Sequence, residues 1–314
     1  MLDRTSWRAQ VQAWAKINLD LRILAREASG FHQLETVFQR ISLADLVTVE
    51  VRAGTGITLQ CVPAVPVPDT QNLAWRAADA YRQVAGWPLV DHEIVLLLEK
   101  AIPTGGGLGG GSADAGAVLR ALNALNPTPL PSPTLLTIAA TLGADVPFLT
   151  TECCTALAWG RGERLLALPS LPARHVQLAT FREGVNTAVA YRELAAAREN
   201  ARLVGHGSAM HDLRMLADWD AVGAGSHNDF EVPVFTMRPD IATVHAAWRS
   251  AAPEALVRMS GSGATVVAVT AGPHAALTAA AERWPDDDHV QVLHATTLDH
   301  VPPVAILSAP SGPR

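Results

Sequence analysis

The sequence predicts an α+β fold in two domains. Candidate strands and helices alternate irregularly along the chain, whereas a doubly wound sheet would show a regular order of strand and helix. The 314 residues correspond to two domains of about 150 residues each. We place the first at 1–154 and the second at 155–314, because a hairpin pattern begins where the preceding helices end. Hydrophobic residues make up 49% of the chain, which is enough for two cores.

Each element follows from a local pattern. The residues 13–24 alternate between apolar and polar side chains, as in a half-buried strand. The helix that begins at Asn72 ends at Gly86, a usual helix terminator. Ser132 is a good N-cap, with Pro133 in the first turn. Further strands are predicted at 35–41, 47–51, 57–62, 92–98, 156–159, 165–168, within 259–270 and at 289–296, and further helices at 112–125, 132–143, 187–202, 209–218, 238–250 and 273–284.

Composition and charge exclude several classes of protein. The formal net charge of −6 argues against nucleic acid as the main partner. The longest clear apolar run, Ile94–Leu98, is far below the roughly 18 residues of a membrane span. The first eight residues lack the apolar segment of a secretory signal. We therefore expect a cytoplasmic protein that contacts neither nucleic acid nor membrane.

Cysteine and histidine give no metal or disulfide pattern. The three cysteines, Cys61, Cys153 and Cys154, are an odd number with one adjacent pair, and they form no Cys-x-x-Cys motif. The 11 histidines contain no His-Glu-x-x-His motif, and His206 and His211 are five positions apart rather than four. We expect no metal site formed by protein ligands alone.

Lysine is almost absent from the chain. Of the 24 basic residues 22 are arginine, and the two lysines are Lys16 and Lys100. Arginine cannot replace a compact ammonium group on a flexible stem. Lys16 lies beside Asn18 on the polar face of the first strand, and Lys100 precedes a glycine-rich loop by five residues. These positions make both lysines candidate functional residues.

The segment Gly105–Gly111 contains six glycines in seven positions, between a predicted strand and a predicted helix. Backbone N–H groups without side chains can converge on an anion there, and the helix dipole favours negative charge. Gly105, Gly107 and Gly110 satisfy the dinucleotide pattern, but 115–144 contains no acid to hold a ribose. No lysine follows the glycines, as a P-loop requires. The loop is therefore predicted to bind nucleotide phosphates in a third way.

The loop Pro103–Ser112 resembles the central motif of the GHMP small-molecule kinases. Its form, with two glycine triplets around a leucine, is specific to members that act on 4-diphosphocytidyl-2-C-methyl-D-erythritol in the non-mevalonate isoprenoid pathway. The resemblance implies an N-terminal ATP-binding domain and a C-terminal ferredoxin-like α/β substrate domain. Other family motifs follow in the expected order at Ala15–Leu19, Gly30–His32, Leu142–Pro147, Asn228–Glu231 and Ser260–Ala264.

The resemblance implies transfer of the γ-phosphate of ATP to the 2-hydroxyl of that cytidyl diphosphate sugar alcohol, with Mg²⁺ expected beside ATP. Asp145 would be the base that takes the hydroxyl proton. Lys16 would favour the incipient alkoxide and orient the acceptor. From the residues alone, Asp145 could instead only cap a short helix that begins at Val146-Pro147.

The resemblance also implies which residues bind the two substrates. Lys100 and Asn72 would lie near the adenine or ribose, although Asn72 is equally suited to cap a helix. Phe31 would stack on cytosine and His32 would contact its edge, with Phe where the family often has Tyr. The ATP set is Asn72, Lys100, Pro103, Gly105, Gly106, Gly107, Leu108, Gly109, Gly110, Gly111 and Ser112, and the acceptor set is Asn18, Phe31, His32, Thr187, Gly261 and Gly263.

A second departure from the family lies at Ser112-Ala113-Asp114-Ala115, where two serines are usual. We expect Asp114 to favour the helix N-terminus electrostatically rather than to hold a metal ion. Two other functions stay open: a GHMP kinase acting on mevalonate or homoserine, and a catalytically inactive nucleotide-binding regulator. The sequence is compatible with a monomer or a homodimer.

Overall fold

The computed structural model describes residues 6–27, 32–86, 92–199, 216, 218–281 and 289–308, and within them the fold is α+β as predicted. The strands are β1 (Trp7–Arg26), β2 (His32–Ala53), β3 (Gly56–Val62), β4 (His92–Glu99), β5 (Thr155–Gly160), β6 (Arg164–Leu168), β7 (His175–Phe181), β8 (Leu256–Met259), β9 (Val266–Thr270), β10 (Val290–Thr296) and β11 (Ala305–Ser308). The helices are α1 (Leu73–Ala85), α2 (Gly110–Leu125), α3 (Ser132–Leu142), α4 (Val146–Thr150), α5 (Thr187–Glu199), α6 (Trp219–Gly225), α7 (Glu231–Met237), α8 (Pro239–Ala251) and α9 (Ala275–Ala281).

Seven of the described strands form a large sheet around the long strand β2. β2 pairs antiparallel with β1 along most of its length, with β4 near its end and with β5 near its start. The prediction of two separate strands over 35–51 was wrong. Ala44 and Asp45 continue the pairing with Trp14 and Ala13, so the polar residues between the two apolar runs do not interrupt the strand.

The hairpin β5–β6 begins just after the expected domain boundary at residue 154, yet it belongs to the large sheet. β5 pairs with Leu34–Gln39 of β2, and β6 pairs with β5. β11 also joins this sheet, beside the start of β1. We therefore propose that the first domain includes 155–168 and 305–308, and that the second consists of the smaller sheet with its helices.

The smaller sheet, within the described residues, has four antiparallel strands in the order β10-β7-β9-β8. Successive side chains of a strand point to opposite faces. Leu178 and Val267 accordingly pack into the core of the large sheet. Their neighbours Ala179 and Val266 pack against α5, α7 and α8. The two sheets share one packed interface, which fixes the position of the glycine loop relative to the second half of the chain.

Helix α2 lies beneath the glycine loop and is buried along most of its length. It packs against α4 so closely that a β-carbon on Gly116 would come within 2.5 Å of the carbonyl oxygen of Leu149. The glycine loop and α4 are therefore held at a fixed separation by α2.

The predicted N-cap of α3 was wrong: Pro131 occupies that position and Ser132 is already helical, with no side-chain cap.

Some predictions fall on parts of the chain that the structure does not describe. Phe31, His206 and His211 lie outside the described residues, as does most of the predicted helix 209–218. In the described part of the chain, no helix is both long and apolar enough to cross a bilayer.

Candidate active site

A cleft of about 1320 Å³ lies between the middle of β1, the glycine loop, the end of α3 with the turn that leads to α4, and α5. This volume exceeds the roughly 300–1,000 Å³ of a site for one small ligand, so two nucleotide-sized molecules can fit. Asn72 and Gly263 are not among its lining residues, and Phe31 is not described. The predicted residues that line the cleft are Lys16, Asn18, His32, Lys100, Pro103, Gly105, Gly106, Gly107, Leu108, Gly109, Gly110, Gly111, Ser112, Asp145, Thr187 and Gly261.

The glycine loop needs its glycines for two separate reasons. Gly107 has a φ of 75°, and a β-carbon there would lie 2.2 Å from the carbonyl oxygen of Ser260. Gly109, with a φ of 73°, is the N-cap of α2. The first amide groups of α2 have no partner within the helix, and Gly110–Ser112 line the cleft. The N-terminus of α2 is therefore available to bind an anion.

The ammonium of Lys16 meets three oxygen atoms from three parts of the chain. It donates to Asn18 Oδ1 at 2.7 Å and to the carbonyl of Gly107 at 3.0 Å, and it lies 3.3 Å from Asp145 Oδ2. The Lys16 side chain is 4% exposed and that of Asp145 is 28% exposed. These contacts match the three N–H donors of an ammonium group. The predicted pair of Lys16 and Asp145 is therefore brought together at the wall of the cleft.

Asp145 occupies the N-cap position of α4, but its side chain makes no capping hydrogen bond. The alternative in which it serves only as a cap is wrong, because its carboxylate faces Lys16 and the cleft. The backbone conformation that places it there depends on α4, a helix of five residues. Such a short helix needs support from the rest of the fold.

Arg40 provides that support, and sequence analysis missed it. Its side chain is buried, and it donates to the carbonyl oxygens of Phe148, Thr151 and Cys153 at 2.7–2.9 Å. Burial lowers the pKa of Arg40 to about 10. These carbonyls lie at the end of α4 or just after it, where helix carbonyls lack partners within the helix, and that of Phe148 also accepts from the amide and hydroxyl of Thr151. Arg40 thus fixes the helix that carries Asp145.

Lys100 lies between two buried carboxylates at the start of the glycine loop. Its ammonium binds Asp45 and, at 2.5 Å, Asp114 Oδ2. The other oxygen of Asp45 accepts from the amides of Ala101 and Ile102. The expectation that Asp114 acts only on the helix N-terminus was wrong, because its carboxylate instead pairs with Lys100. Asp45 was missed by sequence analysis, although it fixes both the lysine and the entry to the loop.

The pKa values of Asp114 and Lys100 are both raised in this cluster. Burial raises the pKa of Asp114 to about 7, since the opposing effect of the Lys100 ammonium is offset by the carboxylate of Asp45. Burial acts to lower the pKa of Lys100, but the two carboxylates outweigh it and the pKa is raised. Lys100 therefore stays charged, while Asp114 carries a proton for part of the time near neutral pH.

The side chain of Asn72 adopts the capping role. Its Oδ1 accepts from the amide of Ala74 at 2.9 Å, and its amide nitrogen lies 3.8 Å from the sulfur of Cys61. An adenine contact would require this side chain to leave the cap. The predicted contact between Asn72 and the base stays a prediction.

An aromatic cluster of His32, Tyr191 and Phe230 also lines the cleft. The ring of His32 stacks on Tyr191 with a centroid distance of 4.4 Å, and Tyr191 meets the edge of Phe230 at 4.9 Å. Burial and the charge of Asp145 raise the pKa of Tyr191 to about 12. Tyr191 was missed, although its place four residues after Thr187 on a predicted helix put both on one face.

The turn after β8 closes the cleft from the second half of the chain. Ser260 Oγ donates to the carbonyl of Gly107 at 3.0 Å. A β-carbon on Gly261 would lie 3.5 Å from Gly107. A β-carbon on Gly263, which does not line the cleft, would lie 2.9 Å from the sulfur of Met259. The carbonyl oxygen of Gly263 would lie 3.2 Å from a β-carbon on Gly107, so the turn packs against the glycine loop at both Gly261 and Gly263.

Comparison with known proteins identifies a family model and sequence relatives that match this chain. The GHMP kinases N terminal domain matches residues 72–152. The chain is 37% identical over 271 residues to the 4-diphosphocytidyl-2-C-methyl-D-erythritol kinase of Solibacter usitatus, with 83% of this chain and 81% of that relative covered.

Two solved structures show similar folds. A crystal structure of 4-(cytidine 5'-diphospho)-2C-methyl-D-erythritol kinase has a TM-score of 0.72 and 34% identity, covering 92% of this chain and 98% of that one. Homoserine kinase from Cytophaga hutchinsonii has a TM-score of 0.66 but 18% identity, with 98% of each chain covered. At that identity the second likeness concerns the fold alone.

Replacement of Lys100 by methionine should destabilise the protein in a pH-dependent way. Two buried carboxylates would be left without a cation, which costs about 3–5 kcal/mol. Their protonation would be favoured in the folded state but not in the unfolded state, so the free energy of unfolding should fall as pH rises from 6 to 8. Urea denaturation of Lys100→Met at both pH values measures this.

The double variant Lys100→Met/Asp114→Asn is the matched control. It removes one of the two carboxylates, so it should recover part of the lost stability. Its free energy of unfolding should also change much less between pH 6 and pH 8 than that of Lys100→Met. A loss of stability that is the same at pH 6 and pH 8 in both variants would contradict the assignment of the buried cluster.

Proposed function

Because the chain belongs to the family of 4-diphosphocytidyl-2-C-methyl-D-erythritol kinases within the GHMP kinases, we propose that it transfers the γ-phosphate of ATP to the 2-hydroxyl of 4-diphosphocytidyl-2-C-methyl-D-erythritol. The predicted GHMP kinase fold is confirmed by the solved structure of that kinase. The product is the 2-phosphate in the non-mevalonate route to isoprenoid precursors. The observation that carries the proposed mechanism is the 3.3 Å approach of Lys16 to Asp145 beside the glycine loop.

Asp145 and Lys16 divide the chemistry at the acceptor oxygen. As the bond from this oxygen to the γ-phosphorus forms and the bond from phosphorus to ADP breaks, the hydroxyl proton passes to the carboxylate of Asp145. The ammonium of Lys16 stabilises the negative charge that develops on the acceptor oxygen. Asn18 and the carbonyl of Gly107 hold that ammonium in place, so little reorganisation is needed during the reaction.

The glycine loop and the N-terminus of α2 would bind the triphosphate through backbone amides. Pro103 and Ser112 line the same part of the cleft, and Lys100 would reach the ribose or adenine from its place at the start of the loop. These roles follow from the position of the cleft and from the family, and they support a common site for ATP. Transfer then requires only that the γ-phosphate extends toward Asp145.

Mg²⁺ is proposed to enter with ATP. The ion prefers oxygen ligands, and the hydroxyl of Ser112 lines the cleft beside the phosphate loop. Asp114 Oδ1 is buried without a hydrogen-bond partner, but Asp114 does not line the cleft. Among the described residues no cluster of three metal-ligating side chains occurs, so phosphate oxygens would supply most ligands. When bound, Mg²⁺ neutralises charge on the transferring phosphoryl group.

The cytidine would bind at the aromatic cluster of His32, Tyr191 and Phe230. His32 and Tyr191 offer a stacking surface and a hydrogen-bonding edge there, and Thr187, Gly261 and Asn18 line the same cleft. Stacking by Phe31 stays a prediction, as do a cytoplasmic location and a monomeric or homodimeric state. The size of the cleft supports simultaneous binding of both substrates, as a direct transfer requires.

Replacement of Asp145 by asparagine should separate binding from transfer. The amide keeps the size of the side chain but cannot accept the proton, so we expect kcat to fall by about 10²–10⁴-fold. The Kd for ATP, measured by calorimetry, should stay within threefold. Asp240→Asn should keep full activity, because the Asp240 side chain is 47% exposed at the start of α8 and does not line the cleft. Undiminished turnover of Asp145→Asn would remove Asp145 from its role.

A panel of acceptors tests the substrate. With ATP and Mg²⁺ present, mass spectrometry should detect addition of one phosphoryl group to 4-diphosphocytidyl-2-C-methyl-D-erythritol and no addition to mevalonate or homoserine. Mevalonate and homoserine have no base that could stack on the aromatic cluster. Phosphorylation of mevalonate without phosphorylation of the cytidyl compound would contradict the proposed function, and turnover of none would favour an inactive regulator.

A further inference from the structure

The hydroxyl group of Thr36, on β2, contacts a residue of the proposed reaction centre. Thr36 is 1% exposed. Its Oγ1 accepts from Asn18 Nδ2 at 2.7 Å and donates to the carbonyl of Asp20 at 2.5 Å. Asn18 Oδ1 in turn accepts from the ammonium of Lys16 at 2.7 Å. The four residues are all buried, and together they form one continuous chain of hydrogen bonds that ends at Lys16.

An irregularity of β1 fixes the other end of this chain. The pairing of β1 with β2 shifts by one residue between Asn18 and Asp20, which is a β-bulge, a feature that re-aims side chains. After the bulge Leu21, rather than Asp20, lines the cleft together with Lys16 and Asn18, and β2 contributes Thr36 to the same wall. The carbonyl of Asp20 belongs to the main chain of this bulge, so it is a fixed acceptor for the hydroxyl of Thr36.

The two ends of the chain determine the direction of every hydrogen bond in it. An ammonium group can only donate, and a carbonyl oxygen can only accept. Because the single hydroxyl proton of Thr36 is used on the carbonyl of Asp20, Oγ1 can only accept from the amide of Asn18. The NH₂ of Asn18 therefore faces Thr36, and its oxygen faces Lys16. If the hydroxyl were missing, the amide could turn over and bring its NH₂ against the ammonium, where two donors would meet.

Resting on the proposed function, in which Lys16 stabilises the acceptor oxygen, we propose that Thr36 is a positioning residue for phosphoryl transfer. Its hydroxyl orients the amide of Asn18, and the oriented amide holds the ammonium of Lys16 beside Asp145. Preorganised groups accelerate a reaction because they need no rearrangement as charge develops in the transition state. Thr36 therefore acts on kcat rather than on the binding of ATP.

Variants that remove the hydroxyl test this role. Thr36→Val and Thr36→Ala should lower kcat for the cytidyl diphosphate acceptor about tenfold or more, the effect of a hydrogen bond to a charged group. The KM for ATP should stay within about twofold of the wild type. Thr36→Ser keeps the hydroxyl, so its kcat should stay within about threefold.

Thr155→Val is the matched control for the loss of a buried hydroxyl. Thr155 is 2% exposed on β5 of the same sheet, donates to Gln39 Oε1 at 2.7 Å and does not line the cleft. Urea denaturation should show a similar loss of stability for Thr155→Val and Thr36→Val. Only Thr36→Val should lose kcat, because only Thr36 is connected to Lys16.

A double-mutant cycle shows whether Thr36 acts through Asn18. Asn18→Ala removes the oriented amide, so adding Thr36→Val to it should lower kcat no further. A merely structural role of Thr36 would lower kcat by the same factor in both backgrounds, and that result would overturn the proposal.

Nuclear magnetic resonance gives a readout that needs no turnover. The chain has only two lysines, so protein labelled with ¹⁵N on its lysine side chains has two ammonium signals, and the one lost in Lys16→Met belongs to Lys16. Thr36→Val should shift the Lys16 signal and leave that of Lys100 in place. Thr36→Ser and Thr155→Val should leave both signals unchanged.

The outcomes separate this proposal from the proposed function. If the wild type phosphorylates the acceptor and Thr36→Val matches Thr155→Val in kcat and in the Lys16 signal, Thr36 has no positioning role. If the wild type does not phosphorylate the acceptor at all, the proposed function fails, while the Lys16 signal of Thr36→Val still decides whether the hydroxyl holds the ammonium in place.

Discussion

The buried ammonium of Lys16 joins three distant parts of the chain. Asn18 comes from the same strand, Gly107 from the glycine loop and Asp145 from the start of α4. A buried charge is tolerated only when its donors are satisfied, so the loop and α4 must both approach β1 closely. A planar guanidinium would need a wider space and a different arrangement of acceptors. This requirement gives a physical reason why a chain with 22 arginines keeps a lysine at this position.

The second half of the chain secures this arrangement from the other side. The amide nitrogen of Asn228 donates to the carbonyls of Met259 and Gly261 at 2.6 and 2.9 Å. The turn that it holds contacts Gly107 through Ser260. The motif at 228–231 therefore acts mainly by placing the turn against the glycine loop. Both sheets contribute to one cleft because the smaller sheet packs into the core of the larger.

Sequence reasoning succeeded where the signal is local. The alternation of β1 places Lys16 and Asn18 on one face, and the run of glycines before α2 marks an anion site. It failed for Asp45 and Arg40, whose partners lie 55 to 113 residues further along the chain. Nothing near either residue indicates a buried partner. The hairpin β5–β6 was recognised, but a hairpin pattern does not reveal which sheet it joins.

A crystal structure with a non-hydrolysable ATP analogue and 4-diphosphocytidyl-2-C-methyl-D-erythritol would measure the convergence of these groups directly. The 2-hydroxyl oxygen should lie about 2.6–3.2 Å from the carboxylate of Asp145, in line with a γ-phosphorus held beside the glycine loop. If the acceptor hydroxyl binds away from Asp145, or if the triphosphate lies outside the loop of Gly105–Gly111, Lys16 and Asp145 form a structural pair and the transfer chemistry resides elsewhere.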